Sequence, residues 1–155
     1  MSSLGAILSP RAIVAAMQVR NKKFLFQQLA QIAAELTGAD PRLIVERLNE
    51  REKLGSTGFG GGVAIPHGKL EGLDHVVGVF ARLVQPIEFG AIDEMPVDLV
   101  FLLLSPPDAG VDHLKALASV SRQLRDRSFV AKLRGAGSED ALYALLSGDE
   151  TRDAA

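Results

Sequence analysis

The chain is constrained most by one stretch, Gly55-Ser56-Thr57-Gly58-Phe59-Gly60-Gly61-Gly62-Val63-Ala64-Ile65-Pro66-His67-Gly68-Lys69. It holds six of the protein's fifteen glycines in fifteen residues. Ordering glycine costs more backbone entropy than ordering any other residue. A folded chain therefore concentrates it where the backbone bends sharply or approaches something closely. Val63, Ala64 and Ile65 form a short apolar run that reads as a buried strand. Pro66 cannot donate to a sheet ladder and should end that strand. The next residue is His67, so a rigid element delivers one imidazole to a glycine-flanked edge, with the hydroxyls of Ser56 and Thr57 upstream.

Two common phosphate-binding loops do not fit. A Walker loop ending at Gly68-Lys69 would need glycine where Val63 stands and a hydroxyl residue where Leu70 stands. A dinucleotide fingerprint built on Gly58 and Gly60 would need glycine at Val63. A plain flexible loop remains open on composition alone.

At 155 residues the chain is expected to form one domain over 1–147, with 148–155 a disordered tail. Seventeen basic and nineteen acidic residues leave a formal net charge of −2, so no field of one sign invites nucleic acid or an anionic membrane. With no cysteine, disulfides, thiolate metal sites and cysteine nucleophiles are excluded. The longest apolar run, residues 99–104, is far too short to span a bilayer. The N-terminus lacks a basic region before its apolar residues, so no signal peptide is expected and the cytoplasm is the expected compartment.

Along the chain, residues 13–19 read as a first strand or a helical turn. Leu25, Leu29, Ile32 and Leu36 make the core-facing stripe of a helix over 22–36, ended by Gly38. Asp40-Pro41 starts a second helix that runs to about Glu52. Arg51 in its last turn suits the C-terminal dipole, whether as a solvated capping charge or as a ligand for something nearby. A polar turn follows His67. Strands are expected at 76–83 and 99–104, the latter apolar on both faces, and a short one at 86–89 before a turn over 90–96. Ser105-Pro106-Pro107-Asp108 should cap a helix over 109–125. Shorter helices are expected at 128–134 and 138–146.

Three histidines are present. His67, His75 and His113 lack any usual zinc spacing, so no metal site and no cofactor is expected. His75 lies in a polar turn. His113 is in line with Leu117, Val120 and Leu124 and faces inward near a helix start, which disfavours imidazolium. It reads as a satisfied core residue or as a neutral hydrogen-bond donor. Neutral His67 offers a ring nitrogen as nucleophile. Loop amides, Ser56, Thr57 and Arg51 around it are donors suited to a phosphoryl group, whose transfer depends on positioning and charge stabilisation.

Arg51-Glu52, Gly55-Ser56-Thr57-Gly58 and Gly62-Val63-Ala64-Ile65-Pro66-His67-Gly68-Lys69-Leu70 together resemble the active-site segment of the enzyme IIA domains of the bacterial phosphotransferase system, in their mannitol/fructose-type branch and its nitrogen-regulatory members. Pro96-Val97-Asp98-Leu99-Val100 and His113-Leu114-Lys115-Ala116-Leu117 resemble further family segments. The resemblance implies an α/β fold, a mixed central β-sheet flanked by helices on both faces. It implies that His67 is phosphorylated by a small HPr-like phosphocarrier, that His113 is its neutral partner, and that Arg51 binds the phosphoryl group. Ser56, Thr57 and Gly68 are expected to contact the phosphoryl group. Phe59, Ile92 and Met95 are expected on the rim where a carrier docks. With no IIB or membrane segment fused, a stand-alone regulator is expected. Its partners would come from potassium-transport proteins and sensor kinases. A free-standing sugar-specific IIA and a non-catalytic anion- or metabolite-binding module are the alternatives.

Overall fold

The structure, a computed structural model, describes residues 4–148. Among them, six strands form one mixed sheet and five α-helices cover it. The strands are β1 (Ile13–Met17), β2 (Gly58–Gly60), β3 (Val63–Ala64), β4 (His67–Lys69), β5 (Val77–Ile87) and β6 (Val97–Ser105). The helices are α1 (Lys22–Thr37), α2 (Pro41–Glu52), α3 (Val111–Leu124), α4 (Arg127–Gly135) and α5 (Glu139–Ser147).

Strand order is β1-β5-β6-β3-β2, with β4 also paired to β6. β6 is the centre. It lies antiparallel to β5 and parallel to both β3 and β4, and the residues Leu99 through Ser105 are buried. A strand with neighbours on both edges and helices on both faces has no side left for polar groups, which is why its sequence is a continuous apolar run. α1 packs on α2, and the two reach the sheet at β5 and β4. α3, α4 and α5 pack in succession, with α3 against β6 and α5 against β1.

Local signals set the helix ends. The Asn21 side chain accepts from the Phe24 N–H, and Gly38, at φ 79°, closes α1 by donating to the Ala34 carbonyl. Asp40 caps α2 through the Arg42 N–H, with Pro41 at the first helical position. Ser138 caps α5 through the Ala141 N–H. Gly148 ends α5 in the left-handed region; the rest of the expected tail lies outside the described residues.

Four expectations need correction. The run at 86–89 is not a separate strand, because β5 continues through to Ile87. α3 is not capped by Ser105 or Asp108; its N-cap is Gly110, with no side-chain capping bond. The short strand β2 was not foreseen. It forms because the chain reverses at Gly60-Gly61-Gly62, at φ 114°, 70° and 82°, and lays β2 antiparallel on β3. Gly62 has a second constraint: a Cβ there would lie 2.5 Å from the Arg134 guanidinium, which is held bidentate by Asp98. Finally, β3 ends before Pro66 as expected, yet pairing to β6 does not stop there but resumes at His67. Ala64 pairs with Val100 and His67 with Leu103, so the register carries straight across the proline. Pro66 lacks a donor, but its carbonyl still accepts from the Leu103 N–H at 2.9 Å. His67 therefore opens β4.

Candidate functional site

Because β4 pairs with the C-terminal half of β6, His67 sits one strand away from Leu103, and Lys69 lies beside Ser105. β6 leads through Pro106 and Pro107 to α3, whose first turn carries His113 back over that end of the sheet. The two imidazoles lie 5.8 Å apart between centroids, with planes at 49°. α2 ends against β4 and supplies Arg51. The three side chains far apart in sequence thus line one groove of about 420 Å³, together with Arg47, Glu50, Leu54, Gly68, Lys69, Glu71 and Pro107.

The hydrogen bonds assign roles to the two nitrogens of His67. Nδ1 is 2.8 Å from the Ile65 carbonyl oxygen. A carbonyl can only accept, so Nδ1 carries the proton and Nε2 the lone pair. The Arg51 Nε–H donates to that Nε2 at 3.1 Å, while Arg51 Nη1 donates to the Gly55 carbonyl at 2.9 Å. A guanidinium that bridges the loop and the ring is pre-placed where negative charge would arrive. Burial pushes the His67 pKa below the ordinary imidazole value of 6.5; the Ile65 bond opposes this, the Arg51 charge adds to it, and the Glu52 charge opposes it. The ring is therefore neutral and nucleophilic at neutral pH.

His113 is buried, and its Nδ1 lies 2.6 Å from the Ser105 hydroxyl. Its pKa is also lowered, first by burial and then by the charges of His67 and Lys69. The inward-facing histidine is thus partnered by a hydroxyl and also lines the groove. The sequence reads Ser105 only as part of a strand stop and helix cap; it acquires its partner through the β6–α3 turn.

Not all expected phosphoryl contacts are placed as the sequence suggested. Thr57 is buried, and both its N–H and its hydroxyl go to the Glu52 carboxylate. The Ser56 hydroxyl accepts from the Gly58 N–H. Neither residue lines the groove. Gly68 does line it; a Cβ there would sit in ordinary contact with α2, 3.4 Å from Arg47 Cβ and 3.6 Å from the Arg47 backbone.

The expected rim is misplaced. β2 and β3 pair at the Leu99–Val100 level of β6, about 10–13 Å along the strand from Leu103 at 3.3 Å per residue. Phe59 lies there in a different cleft, under the Arg125 guanidinium at 4.7 Å. Ile92 is tied to that end by its N–H to the Gly58 carbonyl, and Met95 by its N–H to Asp93. The exposed apolar side chain that lines the groove is instead Leu54, just past the end of α2, and Val111 and Leu114 are exposed in the first turn of α3, beside His113 in sequence. Their signal, apolar residues where helix periodicity calls for polar ones, was present beside Arg51 and His113. His75 is exposed and pairs with Asp74. Among the described residues, no three histidines or carboxylates converge as metal ligands, and no helix is long and apolar enough to cross a membrane.

The chain belongs to the phosphotransferase IIA family: residues 6–148 match the phosphoenolpyruvate-dependent sugar phosphotransferase system, EIIA 2. A nitrogen regulatory protein of Bradyrhizobium diazoefficiens is 52% identical over 141 residues, covering 91% of this chain and 92% of its own. The crystal structure of nitrogen regulatory protein IIA-Ntr from Neisseria meningitidis is similar with a TM-score of 0.88 at 37% identity, covering 92% of this chain and 98% of that one. The crystal structure of IIA mannitol from Escherichia coli shares the fold, with a TM-score of 0.74 at 23% identity, over 89% of this chain and 97% of that one. The chain is a phosphotransferase component with the α/β fold the sequence led us to expect.

Proposed function

We propose that this protein carries a phosphoryl group on Nε2 of His67, received from a phosphohistidine of a small HPr-like carrier, and that the charged form signals by changing which proteins bind. The observation that carries the reading is the Nδ1–H bond to the Ile65 carbonyl, which leaves Nε2 as the nucleophile in an open groove.

The step balances without moving a proton. The Nε2 lone pair attacks phosphorus, the carrier's P–N bond breaks, and its electron pair returns to the departing imidazole. Each ring keeps its proton on the far nitrogen. The positive charge that develops on the His67 ring is held by the Ile65 carbonyl. Arg51 exchanges its bond to Nε2 for the phosphoryl oxygens, where a guanidinium binds in a bidentate, charge-assisted way. If the Ser105 hydroxyl donates to His113 Nδ1, the His113 Nε2–H is left to donate into the groove. Leu54, Val111 and Leu114 supply an apolar border for the carrier. A phosphoryl group adds close to two negative charges at the centre of that border, which is how the regulatory reading suggested by the nitrogen regulatory relatives would work. Potassium-transport proteins and sensor kinases are the expected classes of reader.

Incubation with a phosphorylated HPr-like carrier, followed by mass spectrometry, tests the reading. One acid-labile phosphate is expected on the wild type and none on His67→Ala. Phosphate retained by that variant overturns it. Onward passage to a sugar-specific IIB domain would make the protein an uptake component instead of a regulator.

A further inference from the structure

The Arg51-Glu52 pair stands out in the sequence, yet Glu52 has no part in the chemistry above. It does not line the groove. Its carboxylate is only 8% exposed and accepts the Lys22 ammonium at 2.7 Å, the Thr57 N–H at 3.1 Å and the Thr57 hydroxyl. Lys22 is itself held by the Phe89 carbonyl at 3.1 Å and lies 4.1 Å from the centre of the Phe89 ring. One carboxylate thus joins α1, α2, the start of β2 and the segment after β5.

The loop between α2 and β2 is only residues 53–57. Its two ends are Glu52 and Thr57, and the Glu52–Thr57 bonds close it. Inside the closed loop, the Gly55 carbonyl faces back to accept Arg51 Nη1, and this bond aims the Arg51 Nε–H at His67 Nε2. Burying a carboxylate is costly unless its oxygens are satisfied, and here they are met by an ammonium, an amide and a hydroxyl. The arrangement is too committed for a solvated surface charge, and it ends on the nucleophile.

We propose that Glu52, acting through Thr57 and the closed 53–57 loop, is a positioning residue that sets the Arg51 guanidinium on His67. Lys22 neutralises it and fixes its orientation. The inference rests on the phosphohistidine reading for its kinetic consequence, but its geometric content does not. Glu52→Gln keeps the shape yet turns an amide N–H₂ toward Lys22 or Thr57. Thr57→Val keeps the shape and removes only the hydroxyl; Thr57→Ser keeps the hydroxyl.

The experiment has two arms. In the first, the Arg51 Nε–H resonance is followed by NMR in the unphosphorylated protein. It should be protected from exchange in the wild type and in Thr57→Ser, and lose protection in Glu52→Gln and Thr57→Val while the backbone amide spectrum of the sheet is unchanged. In the second, single-turnover phosphorylation of His67 is measured at saturating carrier. Glu52→Gln and Thr57→Val should be slower by about tenfold, the loss expected when a positioned group is set adrift, with the half-saturating carrier concentration unchanged. Thr57→Ser should recover most of the rate. Combined with Arg51→Ala, Glu52→Gln should add no further loss, because both act through one guanidinium. An Arg51 Nε–H that stays protected in both variants overturns the proposal, as do losses that multiply in the double variant. A wild type that takes no phosphate while its Arg51 signal still depends on Glu52 upholds the positioning and refutes the phosphohistidine reading.

Discussion

At the scale of single residues, the site depends on keeping one nitrogen bare and one charge close to it. Arg51→Ala and His113→Ala should each slow phosphorylation of His67 by about 100-fold, the usual cost of losing one placed donor to a developing charge. Rapid-quench kinetics on variants whose circular dichroism matches the wild type measures this. If His113→Ala instead unfolds the chain, its role is to satisfy Ser105 and fill the core. The lowered pKa values also predict a pH dependence. Both imidazoles bind protons less readily folded than unfolded, so below about pH 6.5 the unfolded chain takes up more protons and stability falls as pH falls. The loss begins near pH 6.5 and is complete below the depressed folded values. Urea titrations at several pH values should therefore show a slope in this window that is shallower in His67→Ala and His113→Ala. Of this constellation, His67 was legible from its glycine-flanked apolar strand. Its tautomer was not, because that depends on a carbonyl two residues back whose direction only the fold decides.

At the scale of elements, the informative contacts are those that tie one element's end to another's middle. Arg82 projects from β5; its Nε donates to the Ala15 carbonyl on β1 at 2.9 Å, and its Nη1 donates to the Leu133 and Ala136 carbonyls at 2.9 and 2.7 Å. A cation placed on the last carbonyls of α4 satisfies acceptors that the helix leaves open and meets the negative end of its dipole. Arg82→Met should cost about 2 kcal/mol in chemical denaturation, since bonds from a charged donor are lost and carbonyls are left unpaired. Gly62→Ala should cost about 1–3 kcal/mol by the same measurement, through its left-handed backbone and the displaced Arg134–Asp98 pair. Helices α1, α2 and α5 could be read to within a residue or two, because Asn21, Gly38, Asp40-Pro41 and Ser138 are local signals. β2, the length of β5 and the continuation of pairing past Pro66 could not, because each depends on a partner strand remote in sequence.

At the scale of the whole molecule, the groove lies at one end of the sheet. β4, the end of α2 and the start of α3 converge beyond the C-terminal end of β6; Leu54 lines the groove and Leu114 is exposed next in sequence to His113. Leu54→Glu and Leu114→Glu should raise the half-saturating concentration of a phosphorylated carrier by about tenfold, as for a central apolar contact, and leave thermal stability unchanged because both side chains already face solvent. Phe59→Ala, at the other end of the sheet, should leave that concentration unchanged. Steady-state phosphorylation at varied carrier concentration compares the three. The reversed order of effects would move the docking surface to the β2 end.

The sequence by itself determined the helices, the buried central strand and the place of His67 after a short apolar run, because these depend on neighbours three or four residues away, on local turn chemistry and on a continuous apolar run. It also carried the family, through the Ala64-Ile65-Pro66-His67-Gly68 segment and the downstream His113-Leu114. Only the tertiary structure decided that Leu54 lines the groove, that Thr57 bonds to Glu52, and which nitrogen of His67 carries the lone pair. Those outcomes depend on where β2, β4 and β6 lie against one another, and strand pairing between distant segments is a property of the assembled sheet, not of any window of residues.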